Sequence, residues 1–268
     1  MINIGDYVTR NSYKNDTVFE VVNRKKDILY LKGVEFRLYA DASVTDCVLV
    51  DKEKIKDDFN PVVSEKSEER SEFFYLPGKI LHLDGDSEYL KRCMKFYKEA
   101  SLFAVGKKID EDALPNEITD ILNEVKPDIL IITGHDAYLK KNGDKGDIKN
   151  YKNSLNFVKA VKMARKYEKS HDKLVIIAGA CQSDYEELIK AGANFASSPK
   201  RVNIHALDPA IIATELALTE RSKEIKLLDL LNKTKNGKDG MGGLICNGTM
   251  FVGYPRWMLM PLKMKYHH

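Results

Sequence analysis

Short runs of branched apolar residues alternate with helical stretches from about residue 76 onward, and this alternation constrains the fold more than any other feature of the chain. Lys79 to Leu83 reads as a strand closing at Asp84-Gly85-Asp86, and Leu102 to Val105 as a second. Ile129-Leu130-Ile131-Ile132-Thr133 closes at Gly134-His135-Asp136, and Leu174-Val175-Ile176-Ile177-Ala178 at Gly179-Ala180-Cys181-Gln182. Ala193 to Ser197 is a fifth, weaker run. Between them, Ser87 through Glu99, Ala113 to Val125, about Tyr151 to Tyr167, and Asp184 to Ala191 carry helical periodicity. Such alternation implies an α/β domain whose sheet is largely parallel, with helices on both faces. Beyond Pro209 the sequence predicts one or two helices, a Gly-rich loop from Gly237 to Gly243, and a hairpin through Ile245 and Phe251.

Residues 1–50 have a different texture. Ile4 to Val8, Thr17 to Val22, Ile28 to Lys32, Phe36 to Tyr39 and Cys47 to Val50 are short strand-like runs separated by turn-prone residues. They predict a small SH3-like β-barrel. Residues 51–72 are highly charged, poor in apolar side chains and interrupted by Pro61, which predicts a linker before an α/β domain over 73–268.

Ligands of parallel sheets bind outside the carboxyl ends of the strands, so the polar tips are where chemistry is expected. His135 and Cys181 crown two near-identical runs. If those strands are neighbours, an imidazole and a thiol face one crevice, the minimum apparatus for a cysteine nucleophile. A thiol close to the helix that follows gains thiolate character from the helix amides, and the Cys181 amide is a candidate oxyanion donor. The bland reading of Cys181 is a buried small hydrophobe. Asp136 is a candidate to orient His135, and His205 is an alternative base.

Composition excludes several classes. The 43 basic and 40 acidic residues are interspersed, with no basic block to grip phosphates, so no nucleic-acid partner is expected. No apolar run is long enough to span a bilayer, and no membrane association is expected. Four cysteines without CxxC spacing suggest neither a zinc site nor a disulfide scaffold, and no cofactor or metal is expected. The opening residues lack a signal peptide's basic and apolar regions, which predicts a cytoplasmic chain.

An apolar strand ending in His, and about 46 residues later an apolar strand ending in Ala-Cys, resembles the caspase-like cysteine peptidases, including the clostripain, gingipain, metacaspase and separase branches. Those enzymes usually show His-Gly; here Gly134 precedes the histidine and Asp136 follows it, which puts the oxyanion donors in doubt. A resemblance covering nearly the whole chain is to the YabG family. It is carried by Leu81-His82-Leu83-Asp84-Gly85-Asp86, Thr133 to Tyr138, Ala178 to Ser183, Ala191 to Pro199, Arg201 to Pro209, and the Ile4-Gly5-Asp6 opening. YabG proteins are sporulation-specific proteases of spore-forming Firmicutes. The resemblance implies a caspase-like fold, cleavage of spore coat and related proteins after arginine, and action in the mother cell and at the spore coat.

Arginine preference requires a carboxylate in the first specificity pocket, because the guanidinium fork pairs with carboxylates in bidentate fashion. Asp84 and Asp86, at the first strand's carboxyl end, are the leading candidates and Asp208 the next. Self-processing is also expected, with Arg70 in the linker as the candidate site. The alternatives are a non-enzymatic spore-assembly scaffold and a cysteine amidohydrolase acting on a small molecule.

Overall fold

The computed structural model describes residues 2–52, 55, 59, 61, 72–139 and 146–256. Residues 7–50 form a five-stranded antiparallel sheet from β1 (Tyr7–Arg10), β2 (Phe19–Lys25), β3 (Ile28–Gly33), β4 (Tyr39–Ser43) and β5 (Cys47–Val50), in the order β4-β3-β2-β1-β5. Alternation buries Val8, Phe19, Val21, Leu29 and Leu31 on one face, as period-2 patterning requires. The expected strand over Phe36 to Tyr39 is displaced. The Gly33 amide donates to the Leu38 carbonyl and the Leu38 amide to the Phe36 carbonyl, so Val34–Arg37 leaves the sheet and β4 begins at Tyr39.

The main sheet has six strands in the order β12-β11-β10-β9-β7-β8. These are β7 (Ile80–Asp84), β8 (Ala104–Lys108), β9 (Ile129–Thr133), β10 (Val175–Ala178), β11 (Phe195–Ser197) and β12 (Met241–Gly243). β7 to β11 run parallel, and β12 closes one edge antiparallel to β11. The hairpin expected near the end of the chain is split instead. The end of the expected Gly-rich loop forms β12, no strand forms at Ile245, and β13 (Phe251–Gly253) pairs with β6 (Phe74–Leu76).

Strand parity divides the core into two layers. Ile80, Ile129, Ile131, Val175 and Ile177 face α1 (Ser87–Glu99), α5 (Asp208–Leu218) and α6 (Leu227–Leu231). Leu81, Leu83, Leu130, Ile132 and Ile176 face α2 (Leu114–Val125), α3 (Ser154–Tyr167) and α4 (Tyr185–Ala191). All five residues of β7 and of β9 are buried. Each such aliphatic contributes about 1.5–3 kcal/mol on burial, which fixes the strand order and hence the tips. Among the described residues, no helix is long and apolar enough to cross a membrane.

Candidate active site

Register brings three polar tips level. Asp84 pairs with Thr133 across β7 and β9, and Ile132 with Ala178 across β9 and β10. The tips that leave these three strand ends carry Asp86, His135 and Cys181 to the carboxyl edge of the sheet. Cys181 keeps the parity of Val175 and Ile177, so its thiol joins the layer with α1 and α5. The short helix α4 lies in the opposite layer. The thiol and the body of that helix therefore pack on opposite faces of the sheet. Burial pushes Cys181 up to about 12, against smaller opposing effects from the Ile204 main chain and the Arg37 guanidinium. Its Sγ accepts from the Ile204 amide at 3.2 Å.

The turn that presents Cys181 depends on Gly179, whose φ of +108° favours glycine. A Cβ there would also meet Leu188 Cδ1 at 2.8 Å. Gln182, just beyond the cysteine, has φ of +58°, so the chain reverses sharply around the thiol. No described residue accepts a hydrogen bond from the Cys181 amide.

His135 is held from several sides. Its main-chain amide donates to Glu111 Oε1 at 2.7 Å, and its carbonyl accepts from Asn153 Nδ2 at 2.8 Å. The ring Nε2 lies 3.3 Å from Asp86 Oδ2, and the Tyr39 ring meets the imidazole edge-on with centroids 4.5 Å apart. Nδ1 is buried and has no hydrogen-bond partner among the described residues. Beside the imidazole opens a cavity of ≈ 440 Å³ lined by Tyr39, Glu111, Lys152 and Asn153, among others.

The carboxylates occupy distinct environments. Asp86 caps α1, accepting from the Glu88 and Tyr89 amides through Oδ1, and Lys32 Nζ lies 3.0 Å from its Oδ2. Burial opposes its ionisation, but bonds from His135, the Tyr89 amide and Lys32 outweigh it and hold the carboxyl well below the usual range. Asp84 is fully buried, 2.6 Å from Arg37 Nη1, and also accepts from Thr133 Oγ1 and the Asp86 amide. Burial is again outweighed, here by the Arg37 guanidinium, and Asp84 stays ionised far into acid. Asp208 accepts from the His205 and Lys235 amides, and burial raises it to about 6.

Asp136 faces away from the imidazole network. Its carboxylate accepts from the Ala137 and Asn153 amides and from the hydroxyls of Ser154 and Ser183, tying the His135 tip to the loop after Cys181. Burial raises its pKa despite these bonds. His205 uses Nδ1 to accept from the Leu207 amide, and its ring packs on Phe59. His82 is buried between Tyr97 and Thr133. Arg70 lies outside the described residues. Among the described residues, no group of three or more His, Cys, Asp or Glu is arranged to hold a metal ion.

The family model of YabG peptidase U57 matches residues 3–69 and 60–255. The sporulation-specific protease YabG of Bacillus subtilis (strain 168) is 38% identical over 283 residues, spanning 94% of this chain and 97% of that protein. The chain belongs to the YabG peptidase U57 family. It is therefore a peptide hydrolase. Among solved structures, the Clostridium thermocellum family 3 carbohydrate esterase aligns with a TM-score of 0.26 at 11% identity, over 42% of this chain and 66% of that one. A likeness that weak carries no argument.

Three residues in this YabG-family site escape a reading by sequence alone. Glu111 fills the space above Gly85 and Gly134, where any Cβ would collide with its carboxylate. Its only sequence signal is its place just past β8. Ile204 supplies the amide on the thiol, and a main-chain contact leaves no side-chain signature. Arg37, in the N-terminal module, reaches the same edge and is fully buried there. The glycine next to the histidine thus serves the close approach of Glu111, which occupies the His135 amide.

Proposed function

We propose that this YabG-family peptidase is an arginine-directed cysteine endopeptidase in which Cys181 is the nucleophile and His135 its base and acid. The carrying observation is that the tips bearing Asp86, His135 and Cys181 leave the carboxyl ends of three adjacent parallel strands, β7, β9 and β10, with Asp86 Oδ2 3.3 Å from His135 Nε2. Asp86 accepts from Nε2–H and so acts as a positioning residue, leaving the unpartnered Nδ1 as the nitrogen that takes the thiol proton. Cys181 Sγ attacks the carbonyl carbon, and the developing oxyanion is stabilised by the Cys181 amide, which no described residue occupies. His135 then returns the proton to the departing amine, and water hydrolyses the thioester. The cavity beside the imidazole is a route for that water.

Asp84 is the carboxylate we assign to the first specificity pocket, because a guanidinium already rests on it. Asp208 suits that role less, since both of its oxygens accept main-chain amides. The finer architecture in this reading is an SH3-like module over 1–50, a linker over 51–72 and a caspase-like domain over 73–268. The relative's name supports a role in sporulation; we further propose spore coat and related proteins as substrates, cleaved in the mother cell.

Arginine- and lysine-terminated fluorogenic peptides test the reading in wild type, Cys181→Ala and His135→Ala. The expected result is turnover after arginine that falls at least about 100-fold in each variant, the low end of what a positioned acid–base group supplies. Turnover indifferent to both substitutions would overturn it.

A further inference from the structure

The segment that leaves the N-terminal sheet, Val34–Arg37, lies across the carboxyl edge of the main sheet, where a peptide substrate must lie. The Arg37 amide donates to the Ile204 carbonyl at 3.2 Å, the Ala206 amide donates to the Glu35 carbonyl at 3.1 Å, and Phe36 bridges His205 in antiparallel sense. This isolated antiparallel bridge is the main-chain pairing that strand-addition sites use to hold an extended peptide. The Ile204 amide at one end of that strand also bonds Cys181 Sγ.

Side chains complete the match. The Arg37 guanidinium is fully enclosed, bonded to Asp84 Oδ2 at 2.6 Å and to the Ala206 carbonyl at 3.1 Å, with the Tyr89 ring 5.1 Å away. Glu35 lies 3.3 Å from Lys235 Nζ. Tyr89 donates its hydroxyl to the Phe36 carbonyl at 3.0 Å, and Arg92 donates to the Val34 carbonyl at 2.8 Å. Beyond the arginine, Tyr39 packs on the His135 ring. The segment thus passes from the thiol's strand to the imidazole, with an arginine side chain in a carboxylate-floored pocket between.

We propose that Val34-Glu35-Phe36-Arg37 fills the substrate cleft of its own chain in the register of the four residues before a scissile bond, and so competes with external substrates. This rests on the peptidase reading above and extends it to a subsite map. Asp84 and the Ala206 carbonyl take arginine, the Tyr89 hydroxyl grips the next carbonyl, and Lys235 selects an acidic side chain two residues before the arginine. The preferred external substrate is therefore a peptide with an acidic residue, an aromatic residue and arginine in sequence. The same occupancy explains why the nucleophile is wholly buried. Leu38 returns its amide to the Phe36 carbonyl, and this tight turn anchors the segment as a resident competitor.

Two readouts test this, one of them independent of catalysis. Alkylation of Cys181 by iodoacetamide, followed by mass spectrometry, is expected to be slow in wild type and at least tenfold faster in Arg37→Ala. Cys246, also buried, is the control and stays unlabelled if the variant is folded. Because Arg37→Ala strands Asp84, Glu35→Lys is the second variant; it alters only a half-buried contact and is expected to accelerate labelling more modestly. The second readout compares acetyl-Val-Glu-Phe-Arg and acetyl-Val-Lys-Phe-Arg fluorogenic reporters. Arg37→Ala is expected to lower KM for the first several-fold, and adding Lys235→Glu to reverse the preference between the two. Cys181 labelling unchanged in both variants would overturn the occupancy. Equal turnover of the two reporters would overturn the subsite map. Selective labelling of Cys181 in the variants without turnover of any arginine peptide would uphold the occupancy and remove the peptidase reading.

Discussion

Asp86 divides two tasks between its oxygens: Oδ1 caps helix α1, and Oδ2 faces the His135 ring. Asparagine preserves a capping oxygen but removes the charge that steadies an imidazolium. Asp86→Asn is therefore expected to lower kcat about 100-fold with KM little changed, and to lower the melting temperature at neutral pH because buried Lys32 loses a charged partner, as steady-state kinetics and thermal unfolding would report. Asp86→Ala also loses the cap, at about 1 kcal/mol. The Arg37–Asp84 pair is different, because neither side chain has any exposure. Breaking such a pair from one side leaves an uncompensated charge, so Asp84→Asn is expected to cost about 3–5 kcal/mol in urea unfolding, and Arg37→Met in the same chain to recover part of it.

At the scale of elements, the site is the common edge of β7, β9 and β10, and its precision comes from how the tips are tied together. Glu111 binds the His135 amide only because Gly85 and Gly134 leave room for its carboxylate. Gly134→Ala must push that carboxylate aside and free the amide, so activity is expected to fall about tenfold or more, since displacements of about 1 Å can cost 100-fold, while the fold persists by circular dichroism. The strand–helix alternation, the pairing of the two tips and the two-faced core were legible in the sequence, because a buried parallel strand writes itself as a continuous apolar run. The displaced Phe36 strand was not. Its apolar–charged–apolar texture suits an edge strand equally well, and only the tertiary partner at His205 decides where it goes. The placement of α4 relative to the thiol was not legible either. Adjacency in sequence said nothing of strand parity, which sends the thiol to the other face of the sheet from that helix.

For the molecule as a whole, the buried carboxylates give stability two opposing pH dependences. Asp84 and Asp86 titrate lower in the folded chain than in the unfolded one, so their contribution is present above about pH 4 and is lost as pH falls below it. Asp208 titrates at about 6 when folded, above its unfolded value, so its contribution is full below pH 4 and is lost as pH rises through 6. Between pH 4 and 7 the wild type is expected to lose about 3 kcal/mol of unfolding free energy relative to Asp208→Asn, measured by urea titration at each pH. The N-terminal module adds a second global coupling, since Lys32, Arg37 and Tyr39 all reach the site from it. A Cys181 nucleophile cutting after arginine leaves a direct signature in the new carboxyl ends of an unstructured protein incubated with wild type, Arg37→Ala and Cys181→Ala, which peptide sequencing reads. Arginine is expected at those ends, with more of them for Arg37→Ala and none for Cys181→Ala. Cuts that persist in Cys181→Ala, or that end at residues other than arginine, would contradict this assignment.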